Sequence, residues 1–204
     1  MKVIVTGCTG LVGSALIRQC IANDDISHVF AISRKPLDEA VAKSPKITVD
    51  YTVAAANAFR ETLAPLLAAG GQFRFVFCSG KFAEWDQSKP LHFMADTRRV
   101  KVPSNEPTKH PLAFPHARTL LTPSSQGLVE QQLCQVADAD TAKRFVVYCA
   151  RPSGILPPDA GLAARLSGKL YGAIDVDHLA NALIRVLLEG YKDRIIENRS
   201  LLAL

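Results

Sequence analysis

The run Lys2-Val3-Ile4-Val5-Thr6 is short and rich in β-branched residues, which predicts a buried strand. A glycine-rich turn follows over 7–13. Leu11, Ala15, Leu16, Cys20 and Ile21 then recur at helical spacing until Asn23-Asp24-Asp25 ends the helix. His28 to Ser33 reads as a second strand. A short helix is expected at 36–43, with Pro36 near its first turn, and a short strand at Ile47-Thr48-Val49. Val53, Phe59, Leu63 and Leu66 form one stripe of a helix over 50–69, strained near Pro65 and stopped by Gly70-Gly71. Residues 73–79 and 144–150 read as strands, 127–137 and 177–189 as amphipathic helices, and Ile195-Ile196 as a last short strand. Strands alternating with helices predict a single α/β domain over 1–204 with a mostly parallel sheet.

Composition narrows the classes. Of 204 residues, 48% are hydrophobic and 21% charged, which excludes a disordered or fibrous chain. No stretch has the length and apolarity of a transmembrane helix. The chain enters an apolar strand at once, which leaves no room for a signal peptide, so the expected location is the cytoplasm. The net charge of +5 is spread along the sequence, which argues against nucleic acid as a partner. Five cysteines, Cys8, Cys20, Cys78, Cys134 and Cys149, lack CxxC spacing and are expected to be reduced and buried. His110 and His116 have no further ligands at fixed spacing, so no metal is expected. Asp175, Asp177 and His178 read as capping and solvated groups. Glu84 and Asp86 read as a solvated loop anchored by Trp85.

The strongest motif is Gly7-Cys8-Thr9-Gly10-Leu11-Val12-Gly13, a GxxGxxG between strand and helix. The first glycine permits the tight turn. The second lets the backbone approach a pyrophosphate, and the third lets the helix pack on the strand. The helix start, with Thr9, Leu11 and Val12 around it, then offers N–H groups and a partial positive charge to phosphates. The bland alternative is a turn that only packs. At the end of the second strand an acid would select NAD; here stand Ser33-Arg34-Lys35. A guanidinium suits the 2′-phosphate of NADP, so NADP is expected over NAD.

The segments TGCTGLVG, ISRK, FVFCSG, ARPSGILPP and IDVDHLANAL, in this order, resemble the atypical and extended short-chain dehydrogenase/reductases, which include epimerase/dehydratase-like members. Ile195-Ile196-Glu197-Asn198 is similar to the end of small tumour-suppressor-type oxidoreductases of that superfamily and their fungal relatives. The resemblance implies a Rossmann-type doubly wound parallel sheet and NADP-dependent oxidation or reduction of a small carbonyl or related metabolite. It implies that Ser79 hydrogen-bonds the substrate oxygen, and that Pro152 and Ser153 lie beside the nicotinamide. The family's Tyr-x-x-x-Lys pair is incomplete. None of Tyr51, Tyr148, Tyr171 and Tyr191 has lysine four residues later, and the best match runs from Thr97 to Lys101. Lys101 fits the lysine, but a threonine hydroxyl is far too weak an acid to replace a phenol.

Two further departures follow. The order of elements between 46 and 79 leaves no room for one central βα unit, so the first strand would lack a neighbour unless residues 46–49 slide into its place. Residues 102–126 hold five of the 12 prolines and show no periodicity. This insert is a flap over the substrate crevice, a retained intron, or an insertion without a role. Joining Lys101 to Gly127 restores the family's order of lysine, glycine and glutamate through Glu130. The expected function is an NADP-dependent oxidoreductase. The alternatives are a non-catalytic NADP-binding regulator and a mis-spliced, defective form of such an enzyme. A small-molecule substrate is expected, and a homodimer paired through helices is compatible with the sequence.

Overall fold

The computed structural model describes residues 1–32, 46–85 and 123–204. Strand β1 (Lys2–Thr6) runs through the glycine turn into helix α1 (Leu11–Ile21), and β2 (His28–Ile32) returns parallel to β1. Helix α2 (Lys46–Thr62) and a 3-10 turn (Ala64–Leu66) lead to β3 (Phe73–Cys78). Helix α3 (Pro123–Asp138) leads to β4 (Phe145–Arg151). Two short strands, β5 (Ile155–Leu156) and β6 (Ile174–Asp175), pair across helix α4 (Leu162–Leu170). Helix α5 (Val176–Glu189), β7 (Ile195–Glu197) and α6 (Asn198–Leu201) end the described chain. The main sheet has the order β3-β4-β7, all parallel.

Two expectations fail around α2. Ile47-Thr48-Val49 are helical, not a strand. β-Branched residues carry only a weak strand preference, and the Ala54-Ala55-Ala56 run propagates a helix through them. These residues therefore do not fill the place beside β1. The helix also ends at Thr62 instead of crossing Pro65 to reach residue 69. Pro65 sits in the first turn of the 3-10 element, where its missing N–H costs no hydrogen bond. The expected helix at 36–43 lies outside the described residues. Strands β5 and β6 were not foreseen, because two residues carry no period to read.

The main sheet is covered on both faces, as its two-residue alternation requires. Phe73, Phe75 and Phe77 of β3 and Phe145, Val147 and Cys149 of β4 face one cluster, with Ala56 and Phe59 of α2 and Val129, Leu133 and Val136 of α3. The Phe73 and Phe145 rings stack at 5.5 Å between centroids. Val76, Cys78, Tyr148 and Ala150 face the opposite cluster, with Leu179, Ala182, Leu183 and Val186 of α5.

Among the described residues no strand joins β1 to β3. β1 pairs only with β2, and β3 only with β4. Among the described residues the sheet thus has no strand at that central place, and the two pieces are held together by α5. Its Ile184 enters the cluster of Val3, Val5, Cys20 and Ile26. Its Val176 and Ala180 pack against Ala15 of α1, where small side chains allow close approach. A third tie comes from β3. The Arg74 guanidinium donates to the carbonyls of Leu187 and Leu188, at 2.8 and 2.6 Å, in the last turn of α5. Those carbonyls have no partner within the helix, and a cation suits the negative end of the dipole.

Arg74→Met should therefore lower the stability of the chain by about 1–3 kcal/mol, since it removes two charge-assisted bonds to part-buried acceptors. Urea unfolding followed by circular dichroism checks this. An unchanged midpoint would show that the tie between β3 and α5 carries no stability.

Candidate functional site

In parallel sheets the carboxyl ends of the strands face a common crevice. The glycine turn leaves the carboxyl end of β1. Gly7 adopts φ +68°, a conformation that strains any residue with a Cβ. Its carbonyl accepts from the Gly10 N–H at 2.9 Å, which closes the turn. A Cβ on Gly13 would lie 2.1 Å from the Gly7 carbonyl oxygen, so only glycine lets α1 pack on the strand end. No side chain caps the start of α1, and its first turn holds no acid. The orphan N–H groups and the positive end of the dipole are thus open to an anion. Thr9, Gly10 and Leu11 are exposed there. Val12 is half-buried and packs on the clusters that contain Ala150 and Ile155, which brings the turn next to the end of β4.

Ser79 follows β3, and Pro152 and Ser153 follow β4. The Ser79 N–H donates to the Ala150 carbonyl at 2.8 Å, and the Lys81 N–H to the Pro152 carbonyl at 2.9 Å, so the two strand ends stay side by side. Ser79 is buried, and the Oγ atoms of Ser79 and Ser153 are both buried without a hydrogen-bond partner among the described residues. A buried hydroxyl left unpaired costs about 1–3 kcal/mol. Two of them at adjacent strand ends, beside an uncapped glycine turn, make a site that a polar ligand would satisfy. Burial pushes the neighbouring Cys78 thiol up to about 11, so it stays protonated and inert at neutral pH.

Asn198 fixes the Ser153 turn. Its Oδ1 accepts from the Ser153 N–H at 2.8 Å, and its Nδ2 donates to the Gly172 carbonyl at 2.8 Å. A second buried network lies behind Ser79. Glu130 on α3 is fully buried; it accepts from Arg151 Nε at 3.0 Å and Nη2 at 2.5 Å, and from Trp85 Nε1 at 2.7 Å. Arg151 also reaches Glu197 at 3.2 Å. The carboxylates beside Arg151, Glu130 above all, raise its already high pKa. Gly127 makes this close approach possible, because a Cβ there would sit 1.8 Å from the Glu84 carbonyl oxygen. The loop after Ser79 is thus clamped to α3, and Trp85 is its anchor. A shallow cleft of about 440 Å³, lined by Ala83, Glu84, Trp85, Arg151 and Ile195, opens beside the clamp.

The remaining candidates divide. Ser33, Arg34, Lys35, Thr97 and Lys101, the histidines at 110 and 116, Asp86 and residues 102–122 of the insert lie outside the described residues; the last four residues of the expected insert, 123–126, are helical and open α3. Among the described residues no group of three metal-ligating side chains occurs. Asp175 stands at the N-cap of α5, yet its side chain does not cap; it pairs with Arg165 at 3.1 Å. His178 Nε2 lies 3.3 Å from the Leu201 carbonyl. The Tyr148 hydroxyl is close to Gly190 at the far end of α5, away from Ser79. Sequence reasoning did not assign Asn198, Trp85 and Arg151 to the site. Each stood at or just beyond the end of a strand-like run or a named loop, which is the available signal.

No known family model matches the chain, and no curated protein matches it. Solved structures do. A short-chain dehydrogenase of Burkholderia cenocepacia in complex with NADP is 13% identical, with a TM-score of 0.53 over 99% of this chain and 91% of that one. A yeast methylglyoxal/isovaleraldehyde reductase complexed with NADPH is 15% identical, with a TM-score of 0.52 over 97% of this chain and 75% of that one. A UDP-N-acetylglucosamine 4-epimerase from Methanobrevibacter ruminantium, in complex with UDP-N-acetylmuramic acid, is 13% identical, with a TM-score of 0.51 over 96% and 74%. The fold is of the Rossmann type. In this chain it lacks one central strand among the described residues. No helix of the described residues is long and apolar enough to cross a membrane.

The clamp makes a contrast that unfolding experiments resolve. Glu130→Gln should cost about 3–5 kcal/mol, because it strands the Arg151 charge against a buried partner. Glu197→Gln, on the exposed side of the same arginine, should cost less than about 1 kcal/mol. Equal losses would show that the buried half of the network is not special.

Proposed function

We propose that this single domain binds NADP and acts as an oxidoreductase of the short-chain dehydrogenase/reductase type on a small carbonyl compound or related metabolite. The observation that carries the reading is the pair of hydroxyls, Ser79 and Ser153, buried and without a partner among the described residues, beside the uncapped glycine turn. The residues present fit the cofactor: Gly7, Gly10 and Gly13 leave room for a pyrophosphate, with Thr9, Leu11 and Val12 around it, and the free start of α1 supplies N–H donors. Arg34, flanked by Ser33 and Lys35, is the proposed partner of the 2′-phosphate, by charge and fork geometry. Pro152 and Ser153 are proposed to hold the carboxamide side. When bound, the nicotinamide supplies the group that gives or takes a hydride.

The chain's own part is to orient the substrate and move a proton. Ser79 Oγ, unpaired and fixed by the β3–β4 ladder, is proposed to donate to the substrate oxygen. Lys101 is proposed to bind ribose and add positive charge nearby. A threonine at 97 cannot give a proton as a phenol does, so Ser79 and Lys101 are the reduced set on which turnover rests. That deficit favours a second reading, in which the chain binds NADP and reports its occupancy to a partner without turnover.

Thermal unfolding with NADPH, NADH or neither tests the binding claim. At 100 times Kd a ligand selective for the folded state adds about 2.7 kcal/mol. NADPH should raise the midpoint more than NADH, and Arg34→Glu should erase the difference. A cooperative transition moved by neither cofactor would overturn the dinucleotide reading. Ser79→Ala should keep the NADPH shift and abolish carbonyl-dependent NADPH oxidation. A wild-type chain that binds NADPH yet turns over no aldehyde or ketone would leave the regulator as the function.

A further inference from the structure

Strand β7 pairs with the end of β4, Glu197 opposite Arg151, so Pro152 and Asn198 leave the sheet side by side. Pro152 is fully buried, and Ser153 follows it. Asn198, 9% exposed, is the first residue of α6. Its carboxamide bridges two segments that the main sheet does not join. Oδ1 accepts from the Ser153 N–H and Nδ2 donates to the Gly172 carbonyl, both at 2.8 Å. Gly172 adopts φ +71°, and a Cβ there would meet Asn198 Nδ2 at 3.3 Å, so the loop before β6 is shaped around the carboxamide. The two roles call for an acceptor and a donor on one short stem, which asparagine supplies. A second bond closes the same junction, from the Ile174 N–H to the Gly154 carbonyl at 2.8 Å. Asn198 is itself held. Its carbonyl accepts from the Leu202 N–H at 3.0 Å, and Leu201 is buried in the cluster that contains Ala150.

We propose, on the reading that the chain binds NADP, that Asn198 is a positioning residue for the nicotinamide end: it fixes the Ser153 turn so that the Ser153 hydroxyl meets the uncharged carboxamide. What the turn has left to give points there. The Ser153 N–H is spent on Asn198, and the Gly154 carbonyl on Ile174. The Ser153 Oγ is buried and has no partner among the described residues. A hydroxyl rotates, so it can donate to a carboxamide oxygen or accept from a carboxamide NH2. A neutral ligand end of that chemistry satisfies it. The Asn198 bond holds the Ser153 backbone, and therefore the place from which Oγ reaches. Without that bond the ligand must order the turn, and affinity falls by that cost. The adenosine end is independent of it. That end is proposed to lie on Arg34 and the glycine turn, whereas the Asn198 carboxamide bonds to Ser153 and Gly172.

The test separates the two ends of the ligand on the full chain. Isothermal titration calorimetry measures NADPH and adenosine 2′,5′-bisphosphate, which carries two of the phosphates and no nicotinamide. The wild type should bind NADPH more tightly than the fragment. Asn198→Ala should weaken NADPH on the order of tenfold, the worth of one neutral hydrogen bond, and change the fragment less than about twofold. A purely structural role would weaken both ligands together. Ser153→Ala should lose as much, and the double variant no more than either single one, because both act through one contact. Asn198→Asp keeps the acceptor for Ser153 and should restore most of the NADPH affinity. Hydrogen exchange in the wild type needs no variant to fold. NADPH should slow exchange of the Ser153 amide, and the fragment should not.

The proposal is overturned by a folded Asn198→Ala chain that keeps its NADPH affinity or loses both ligands equally. Losses that add in the double variant overturn it, as does a Ser153 amide that NADPH leaves unprotected. A wild type that binds the fragment as tightly as NADPH overturns it with the NADP reading intact. A wild type that binds neither ligand overturns the NADP reading and, with it, the role of Asn198.

Discussion

Helix α5 does the work that strand pairing does in a complete doubly wound sheet. One face, with Leu179, Leu183 and Val186, seals the main sheet; another, with Ile184, closes the core under β1; Val176 and Ala180 meet α1. A helix apolar over so much of its circumference is stable only when buried on several sides. That requirement explains the rest of the arrangement. Among the described residues no strand lies between β1 and β3, so strand pairing there does not transmit the position of the glycine turn to Ser79. Side-chain packing on α5 must do it. The Arg74 cap adds a directional bond where packing alone would allow the helix to slide.

This placement decides what the site can be. The glycine turn comes from the β1–β2 piece, whereas Ser79 and Ser153 come from the main sheet. They are brought together because Val12 is packed against the same cores as Ala150 and Ile155. Behind them, polar groups on α3 are matched in series to those on β4 and before β7. Glu130 holds Arg151 and Trp85, and Asp138 meets Arg194. The clamp at Glu130 fixes the loop after Ser79.

The parts legible in the sequence were those where one residue type is forced by geometry. Gly7 and Gly13 announced the turn because no other residue fits a positive φ or a 2.1 Å approach. The strands were legible from their β-branched and aromatic runs. Ile47-Thr48-Val49 misled, because local strand preference is weaker than helix propagation from an alanine-rich neighbour. The contacts of Glu130 and Asn198 depend on pairs far apart in sequence. No period or spacing reports such a partner, and only the fold brings them together.

Packing on α5 makes one cooperative unit of two sheets whose strands, among the described residues, do not pair with each other. Native-state hydrogen exchange in low denaturant reads this directly. The account predicts that the amides of β1, β3 and β4 exchange through the same global opening, with a common free energy and a common denaturant dependence. Exchange of β1, β2 and α1 through a separate, lower-energy opening, while β3 and β4 stay protected, would contradict it.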